Sequence, residues 1–266
     1  MGGHEDWAPR LVAVDADGTI VGSDDLVPTP LAHKLGEIAA SGVPVVLVTG
    51  RAWLSAQLVL DQLQIPDMYC VCNNGATVVR YPPLEMIQNT CFDPTRIIDV
   101  IRNHSGAIVA VEDFGRGYKV SAPFPPGAYN LHGELRVVPL DELASEPVSR
   151  IILRSPGISL VEFEDLITEL DLGDLYRSMG AVNWLDIGAE GVGKDTGLAL
   201  AAQALEVVQA DILAIGDGGN DIDLLSWAGR GVALGGSSSE LVAVADDVVA
   251  SFAEGGTLDE LNKWFT

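Results

Sequence analysis

The chain has 266 residues, of which 48% are hydrophobic and 29 are glycine, so it can form one large domain or two modest domains with real cores. Its 38 Asp and Glu residues outnumber its 15 Lys and Arg residues and give a formal net charge of -23 at pH 7. Such a charge repels phosphate backbones and anionic lipid, and it argues against nucleic acid as a partner.

The sequence predicts no leader, no membrane span and no cysteine-based metal site. The opening stretch MGGHEDWAPR lacks a basic region followed by an apolar one, and no run approaches the roughly 18 apolar residues of a membrane span. We therefore expect a cytoplasmic protein with no membrane partner. Cys70 and Cys72 alternate in an apolar run, as small core residues do, and together with Cys91 they lack the four-ligand spacing of a zinc site.

Continuous apolar runs of strand length recur along the chain. In order they are RLVAVD, VPVVLVTG, MYCVCNNG and, in the last third, DILAIGDG. Runs that are apolar throughout predict strands covered on both faces, as in a parallel sheet. Between the first two runs, Leu31, Leu35 and Ile38 have helical spacing and Gly42 marks a helix end. A strand, a helix and a strand in this order predict a βαβ unit.

The middle of the chain has a different pattern. It carries most of the prolines, alternating strand-like pieces such as YKVSA and RVVPL, and the helix-like stretches DPTRIIDVIRN and ISLVEFEDLITEL. The strand-helix alternation of the first part then returns up to the C-terminus. We therefore predict an α/β protein with a doubly wound (Rossmann-like) parallel-sheet core in two segments, residues 1–81 and 187–266, and an inserted α+β domain over residues 82–186.

The first polar motif is DADGT, in which Asp15 and Asp17 directly follow an apolar run. Asp-Gly is a common turn dipeptide, so a simple turn is one interpretation. A calcium loop is excluded, because its sixth and twelfth positions need Gly and Glu, and the chain has Ile20 and Leu26 there. Two carboxylates about 4 Å apart cost on the order of 4 kcal/mol at an effective dielectric near 20, so a bare acidic pair is unfavourable.

The stretch GAEGVGKD, residues 188–195, has the glycine and lysine spacing of a nucleotide P-loop. The match fails at Asp195, where the P-loop needs Ser or Thr to hold magnesium. Lys194 at the start of a predicted helix is disfavoured by the helix dipole, which favours a bound anion there. An ordinary surface lysine remains the alternative.

The stretch GDGGND, residues 216–221, begins like a dinucleotide-binding fingerprint, but Asp221 stands where the third glycine belongs. Carboxylates suit a cation there. Because a helix is predicted to start between Asp217 and Asp221, both side chains can face one point. Helix capping by Asn220 or Asp221 is equally compatible with the sequence.

These signals converge at one edge of the predicted sheet. Asp15, Thr49 and Asp217 follow three apolar runs, and the carboxyl ends of parallel strands share one edge, where open α/β folds bind ligands. Mg²⁺ prefers a few carboxylates together with substrate phosphate oxygens. In this set, Asp15 is suited to attack phosphorus and Asp17 to transfer protons. Thr49 and Lys194 are suited to bind phosphoryl oxygens.

DADGT, VTGR, Lys194 and GDGGND, in this order, resemble the four signature motifs of the haloacid dehalogenase superfamily of phosphohydrolases. NNGA, GVGKDTGLALAAQAL, AIGDGGNDIDLLSWAG and GVAL are similar to its Cof-type branch, although LGGS stands where that branch usually has Met-Gly-Asn-Ala. The resemblance implies that residues 82–186 form a large α/β (type 2B) cap. It also implies Asp15 as nucleophile, Asp17 as acid/base, and Thr49 and Lys194 as catalytic phosphate contacts. The further implied site residues are Gly50, Arg51, Asn74 and Asn220 on the substrate phosphate, and Asp15, Asp17, Asp217 and Asp221 on Mg²⁺.

The leading hypothesis is a Mg²⁺-dependent phosphatase that hydrolyses small phosphomonoesters, sugar phosphates first, through an aspartyl-phosphate. A phosphosugar mutase and a non-catalytic sensor of phosphorylated ligands remain open as alternatives. Dehalogenation is disfavoured because a halide leaving group needs no proton from Asp17. We expect a small phosphorylated metabolite as the partner and a monomer or homodimer. Arg116, Tyr118 and Lys119 are guesses at substrate contacts, and ordinary strand and turn roles are the preferred interpretation of them.

Overall fold

A computed structural model of the protein describes residues 7–104, 106–124, 131–180 and 183–265. The strands in chain order are β1 (Leu11–Val14), β2 (Val45–Val48), β3 (Met68–Cys72), β4 (Thr77–Tyr81), β5 (Glu85–Asn89), β6 (Ile108–Asp113), β7 (Gly117–Val120), β8 (Glu134–Val137), β9 (Ile151–Arg154), β10 (Tyr176–Gly180), β11 (Trp184–Gly188), β12 (Ile212–Gly216), β13 (Arg230–Ala233) and β14 (Asp247–Val248). The helices are α1 (Thr29–Ala40), α2 (Trp53–Leu63), α3 (Thr95–Ile101), α4 (Leu140–Leu143), α5 (Leu160–Leu170), α6 (Lys194–Ala204), α7 (Ile222–Trp227), α8 (Ser239–Val244) and α9 (Gly256–Trp264).

The described residues divide into two compact units. Unit 1 takes those of Met1–Arg51, Ala56–Gln88 and Gly193–Thr266, and unit 2 takes those of Ala52–Ser55 and Asn89–Val192. The domain bounds expected from the sequence, at residues 81/82 and 186/187, stay a prediction. No helix in the described ranges has both the length and the apolar character needed to cross a bilayer.

Unit 1 is built on an eight-stranded sheet in the order β14-β13-β12-β1-β2-β3-β4-β5. The six strands from β14 to β3 run parallel, and β4 pairs antiparallel with β3. Every residue of β1, β2 and β12 is buried. The continuous apolar runs therefore become central strands covered on both faces, which confirms the predicted fold class.

Helices lie on both faces of the unit 1 sheet. On one face, α6, α7 and α8 contribute side chains such as Leu198, Leu224 and Leu241 to a core that includes alternate residues of the strands. On the other face, α1 buries Leu31, Leu35 and Ile38, the residues that the sequence places at helical spacing. This three-layer arrangement leaves the carboxyl edge of the central strands as the natural place for a ligand.

Unit 2 is an α+β body with a six-stranded sheet in the order β10-β11-β9-β6-β7-β8. All its strand pairs are antiparallel except β7 with β8, which is parallel. Helices α3, α4 and α5 cover one face of this sheet, where Ile98, Leu143 and Phe163 pack on alternate strand residues. Helix α5 begins with a capping box, in which Ser159 and Glu162 each bond the other's backbone.

Two of the three cysteines lie in the core of unit 1. Cys70 and Cys72 are buried in β3, with their sulfurs 3.4 Å apart, and Cys91 is exposed. The side chains of Cys70 and Cys72 pack among apolar neighbours, as small core residues do.

Candidate active site

Three polar residues stand directly after three neighbouring parallel strands of unit 1. Asp15 follows β1, Thr49 follows β2 and Asp217 follows β12. The amide of Asp15 still bonds the carbonyl of Ile215, at 3.0 Å, and that of Thr49 bonds the carbonyl of Val71, at 2.7 Å. The sheet ladder therefore fixes the backbone up to the first residue of the site, and Asp15 stands at the centre of the carboxyl edge.

Lys194 lies inside the acidic site and is 1% exposed. It is the first residue of α6, after Gly193 as N-cap, and its Nζ donates to Oδ1 of Asp15 at 2.5 Å and to Oδ1 of Asp221 at 2.6 Å. Burial alone lowers the pKa of Lys194, but the two carboxylates outweigh burial and hold this pKa above its ordinary value. The surface-lysine alternative is therefore wrong.

Asp15, Asp217 and Asp221 each bring a carboxylate oxygen within 4.8 Å of the others. Burial raises the pKa of Asp15 well above its ordinary value, and Asp221 and Asp217 add to this against the attraction of Lys194. Burial also raises the pKa of Asp217 to about 6, although the Thr19 hydroxyl donates to it at 2.9 Å. Three acids around one buried ammonium leave excess negative charge, which a divalent cation would offset.

The two carboxylate oxygens of Asp221 have different partners. Its Oδ1 accepts from Lys194, and its Oδ2 accepts from the backbone amides of Asp217, at 3.1 Å, and Gly218, at 2.9 Å. Its side chain is fully buried. Of the two capping residues that the sequence allows, Asp221 is the one whose carboxylate closes this loop, and it does so while it contributes to the acidic cluster.

Asp17 has a side chain that is about half exposed and is paired with Arg51. Arg51 donates from Nε and Nη2 to the two Asp17 oxygens, at 2.9 and 2.6 Å, and from Nη2 to Oδ1 of Asp25, at 2.6 Å. The cluster of possible metal-binding carboxylates in the described ranges is formed by Asp15, Asp217 and Asp221, without the Asp17 side chain. Arg51 is thus an ion-pair partner of the predicted acid/base.

The remaining predicted phosphate-binding residues lie side by side. Oγ1 of Thr49 accepts from the backbone amide of Arg51 at 3.1 Å, and Nδ2 of Asn220 donates to Oδ1 of Asn74 at 2.8 Å. A Cβ at Gly50 would lie 2.9 Å from Oδ1 of Asn74. Gly50 therefore permits the close approach of the two amide side chains to the backbone after β2.

The glycine of DADGT is required by the fold of the site. Gly18 has a φ of +80°, and a Cβ there would lie 2.2 Å from Oδ2 of Asp217. Only glycine fits a left-handed backbone at this distance from a carboxylate. Gly236, in the LGGS stretch, has a φ of +97°, which also suits glycine.

Two residues of this site escaped the sequence analysis. Thr19 bonds Asp217, and Asp25 holds Arg51. Thr19 is the last residue of the DADGT motif, so its position in the motif could have identified it as a site residue. Asp25 lies in an ordinary polar turn, and nothing in the sequence distinguishes it. Of the guesses outside this site, Tyr118 is buried and Lys119 pairs with Glu146 at 2.6 Å.

Known proteins are similar in sequence to this chain over most of its length. Among curated proteins, the chain is similar to 5-amino-6-(5-phospho-D-ribitylamino)uracil phosphatase YitU of Bacillus subtilis, with 22% identity over 97% of this chain and 98% of that protein. It is also similar to HMP-PP phosphatase of Cronobacter sakazakii, with 23% identity over 88% of this chain and 87% of that protein.

Solved structures have the same fold. BT1666 of Bacteroides thetaiotaomicron, from the phosphatases of the haloalkanoate (HAD) enzyme superfamily, matches with a TM-score of 0.80 and 24% identity over 99% of this chain and 98% of that one. The HAD subclass IIB sugar phosphatase BT4131 matches with a TM-score of 0.79 and 19% identity over 95% and 98%. Residues 12–261 match the family described as haloacid dehalogenase-like hydrolase. The resemblance carried by the four motifs is therefore confirmed, and the chain belongs to the haloacid dehalogenase-like hydrolases.

Proposed function

We propose that this hydrolase is a Mg²⁺-dependent phosphatase that cleaves small phosphomonoesters through an aspartyl-phosphate on Asp15. The observation that carries the proposal is the buried Lys194 between Asp15 and Asp221, beside Asp217. A nucleophilic carboxylate, a fixed cation and a cluster of hard oxygen donors are what transfer of a phosphoryl group to an aspartate requires.

The donor set fits magnesium. Carboxylate oxygens of Asp15, Asp217 and Asp221 lie within 4.8 Å of one another, and Mg²⁺ binds hard oxygen ligands with a few carboxylates. These three residues would hold the ion, with a backbone carbonyl near Asp17 as a further ligand. When bound, Mg²⁺ offsets the negative charge of the acids and of the phosphoryl group.

Asp15 and Asp17 divide the chemistry between them. An Asp15 oxygen attacks phosphorus, the ester P–O bond breaks, and Asp17 gives a proton to the departing oxygen. A water then attacks the phosphorus of the aspartyl-phosphate, Asp17 takes the water proton, and inorganic phosphate leaves with Asp15 restored. Since Arg51 occupies both Asp17 oxygens in this structure, Asp17 has to release Arg51 before it can serve the ester.

The other site residues bind the phosphoryl group. Lys194 supplies a fixed positive charge next to the attacking oxygen of Asp15. Thr49 and Gly50 offer a hydroxyl and a backbone amide at the end of β2. Arg51, Asn74 and Asn220 are the further phosphate contacts in this proposal, and their clustering around Gly50 supports it.

Small phosphorylated metabolites, with sugar phosphates first, are the proposed substrate class. YitU is named as a phosphatase of a phosphorylated ribitylamino compound, and BT4131 as a sugar phosphatase. The chain's net charge of -23 does not suit nucleic acid. A cytoplasmic location and a monomeric or homodimeric state remain predictions.

A screen for released inorganic phosphate tests the function. Sugar phosphates, nucleotides and pyridoxal phosphate are supplied with Mg²⁺, and sugar phosphates are expected to release phosphate fastest. Conversion of a sugar phosphate into an isomer without phosphate release would instead establish the mutase. Binding of phosphorylated compounds with neither outcome would establish the sensor.

A further inference from the structure

A cavity lies on the helix-covered side of unit 2. Its volume is about 310 Å³, which is within the range of small-molecule sites. Leu166 of α5 lines the cavity and belongs to the core under the helices, and the lining residues Ala107 and Ile158 pack against the same core. The cavity is therefore on the side of the sheet that α3, α4 and α5 cover, and no residue of the proposed active site lines it.

Acidic side chains line one side of this cavity. Glu162, Asp165 and Glu169 follow one another at intervals of three and four residues, so they share one face of α5. Asn103 and His104, which follow α3, add to the polar lining. Among the described residues, no lysine or arginine lines the cavity. Three carboxylates and one imidazole leave excess negative charge there, which favours a cationic ligand.

The three carboxylates differ in their partners. Oε2 of Glu162 accepts from the amide and the hydroxyl of Ser159, both at 2.8 Å, and these bonds hold the pKa of Glu162 below its ordinary value. Oε2 of Glu169 lies 2.9 Å from Nε2 of His104. Within the described ranges, the carboxylate of Asp165 has neither a hydrogen bond nor an ion pair. Asp165 is thus available to a cation without loss of an internal contact.

Ser155 brings a buried hydroxyl without a partner to the same cavity. Ile151 and Leu153 of β9 point into the helix-covered core, and Ser155 continues this alternation on the same face. Ser155 is 2% exposed and lines the cavity, and its Oγ has no hydrogen-bond partner among the described residues. A buried hydroxyl without a bond is unfavourable, so a donor inside the cavity would be stabilised by it.

The spacing of these groups indicates the class of cation. In the part of the chain that the structure describes, three acidic or histidine ligand atoms come within 4.8 Å of one another only at Asp15, Asp217 and Asp221. The acids of the cavity are therefore too far apart to share one metal ion. Asp165 and Glu169 lie one helical turn apart, about 6 Å along α5. A linear diamine carries its charges at the two ends of an apolar chain, which suits separated acids beside an apolar wall.

We propose that this cavity binds a linear aliphatic amine with two or more ammonium groups. One ammonium group donates to Oγ of Ser155, another pairs with Asp165 and Glu169, and the methylene groups between them contact the apolar wall. The site is separate from the hydrolysis proposed above, because the reacting residues belong to unit 1 and none of them lines the cavity. Binding can therefore be measured without turnover.

Calorimetric titration of the full chain in EDTA at pH 7 tests the proposal, with putrescine as the probe and butylamine as its singly charged analogue. Putrescine is expected to bind, and butylamine to bind at least about tenfold more weakly, because one of its ends has no charge for the acids. Equal affinities for the two amines would overturn the proposal.

A matched pair of variants on α5 separates this site from general attraction to an acidic protein. Asp165→Asn is expected to weaken putrescine binding at least about tenfold. Glu164→Gln removes the same charge from an exposed neighbour that does not line the cavity, and its putrescine affinity should stay within about twofold of the wild type. Equal losses in both variants, or no loss in Asp165→Asn, would contradict the site.

Thermal unfolding together with titration tests the role of Ser155. Ser155→Ala removes a hydroxyl without a partner, so Tm should stay within about 1 °C of the wild type or rise, while putrescine binds at least about threefold more weakly. Ser121→Ala is the control, because Oγ of Ser121 accepts from the buried amide of Val109 at 2.9 Å. Its Tm should fall by more than about 2 °C with putrescine affinity unchanged. A fall in Tm for Ser155→Ala as large as that for Ser121→Ala, or unchanged putrescine affinity in Ser155→Ala, would refute the assignment.

Discussion

Nζ of Lys194 lies 2.5 Å from Oδ1 of Asp15, a residue 179 positions earlier in the chain. Helix α6 begins at Lys194 and β1 ends one residue before Asp15, so two regular elements set the position of this pair. This placement suits the nucleophilic role proposed for Asp15, because a nucleophile gains most when its orientation is fixed before the substrate binds.

Replacing Asp15 by Asn removes the proposed nucleophile and keeps the size of the side chain. Phosphate release should fall by at least about a thousandfold while substrate binding persists, because an amide does not form the covalent intermediate. Asp24→Asn is the matched control, since Asp24 is exposed and, among the described residues, accepts from the amide of Leu26 alone, at 3.2 Å. Equal activity of Asp15→Asn and wild type in a phosphate-release assay would rule out the mechanism.

Replacing Lys194 by Met should reduce both activity and stability. Three acids would then share a buried site without their cation, and breaking such an ion cluster costs about 3–5 kcal/mol. Urea unfolding of metal-free protein at pH 7 measures this loss, and saturating Mg²⁺ should recover part of it. Lys34→Met is the control, because in the part of the chain that the structure describes Lys34 pairs with the carbonyl of Phe265 and the exposed Glu37, and with no buried acid. Similar losses in both variants would contradict the central role of Lys194.

Magnesium affinity should depend on pH through Asp217. Its pKa rises to about 6, mainly through burial, from an ordinary value of 3.8. The folded, metal-free chain therefore binds a proton more tightly than the unfolded chain, and the stability from this proton is lost as pH rises from 3.8 through 6. Below pH 6 the proton competes with Mg²⁺, so the apparent Kd should rise up to about tenfold per pH unit.

Calorimetric titration with Mg²⁺ between pH 5 and 8 measures this dependence. Asp217→Asn should bind Mg²⁺ more weakly at every pH and lose the part of the slope that comes from this carboxyl. A wild-type affinity that stays constant from pH 5 to 8 would contradict the raised pKa.

A methyl group at residue 18 should displace the carboxylate of Asp217 from its position in the site. Gly18→Ala forces a Cβ toward Oδ2 of Asp217, which lies 2.2 Å away, and strains a φ of +80°. We expect weaker Mg²⁺ binding and a loss of at least about tenfold in kcat/KM. Gly36→Ala in α1 is the control, because a Cβ there meets nothing within 4 Å, and it should stabilise the protein by about 0.5–1 kcal/mol. Unchanged Mg²⁺ affinity in Gly18→Ala would refute the role of this glycine.

Much of unit 1 could be predicted because its signals are local. Continuous apolar runs identify β1, β2, β3 and β12, and the residue after each run marks the carboxyl edge without any knowledge of tertiary contacts. The start of α6 at Lys194 was also predictable, from the glycine-rich stretch before it.

The features that could not be predicted from the sequence depend on contacts between distant segments of the chain. The contact of Arg51 with Asp17 and Asp25 joins the end of β2 to the loop after β1, and no spacing rule encodes it. The position of Arg154 opposite Trp184 follows from the register of β9 against β11. From the sequence alone, Arg154 in the strand-like stretch RIILR is interpreted as an ordinary residue at the end of a strand.

Sheet order in unit 1 has a consequence for how the protein is made. β1 lies between β2, which is synthesised soon after it, and β12, which is synthesised only after the whole of unit 2. Until β12 has been synthesised, β1 of a nascent chain lacks its neighbouring strand on one side. Lys194 and Asp221 are also still missing from beside Asp15 during most of translation. Fragments that stop short of β12 lack Asp217 and Asp221, so the proposed mechanism predicts that they have no phosphatase activity.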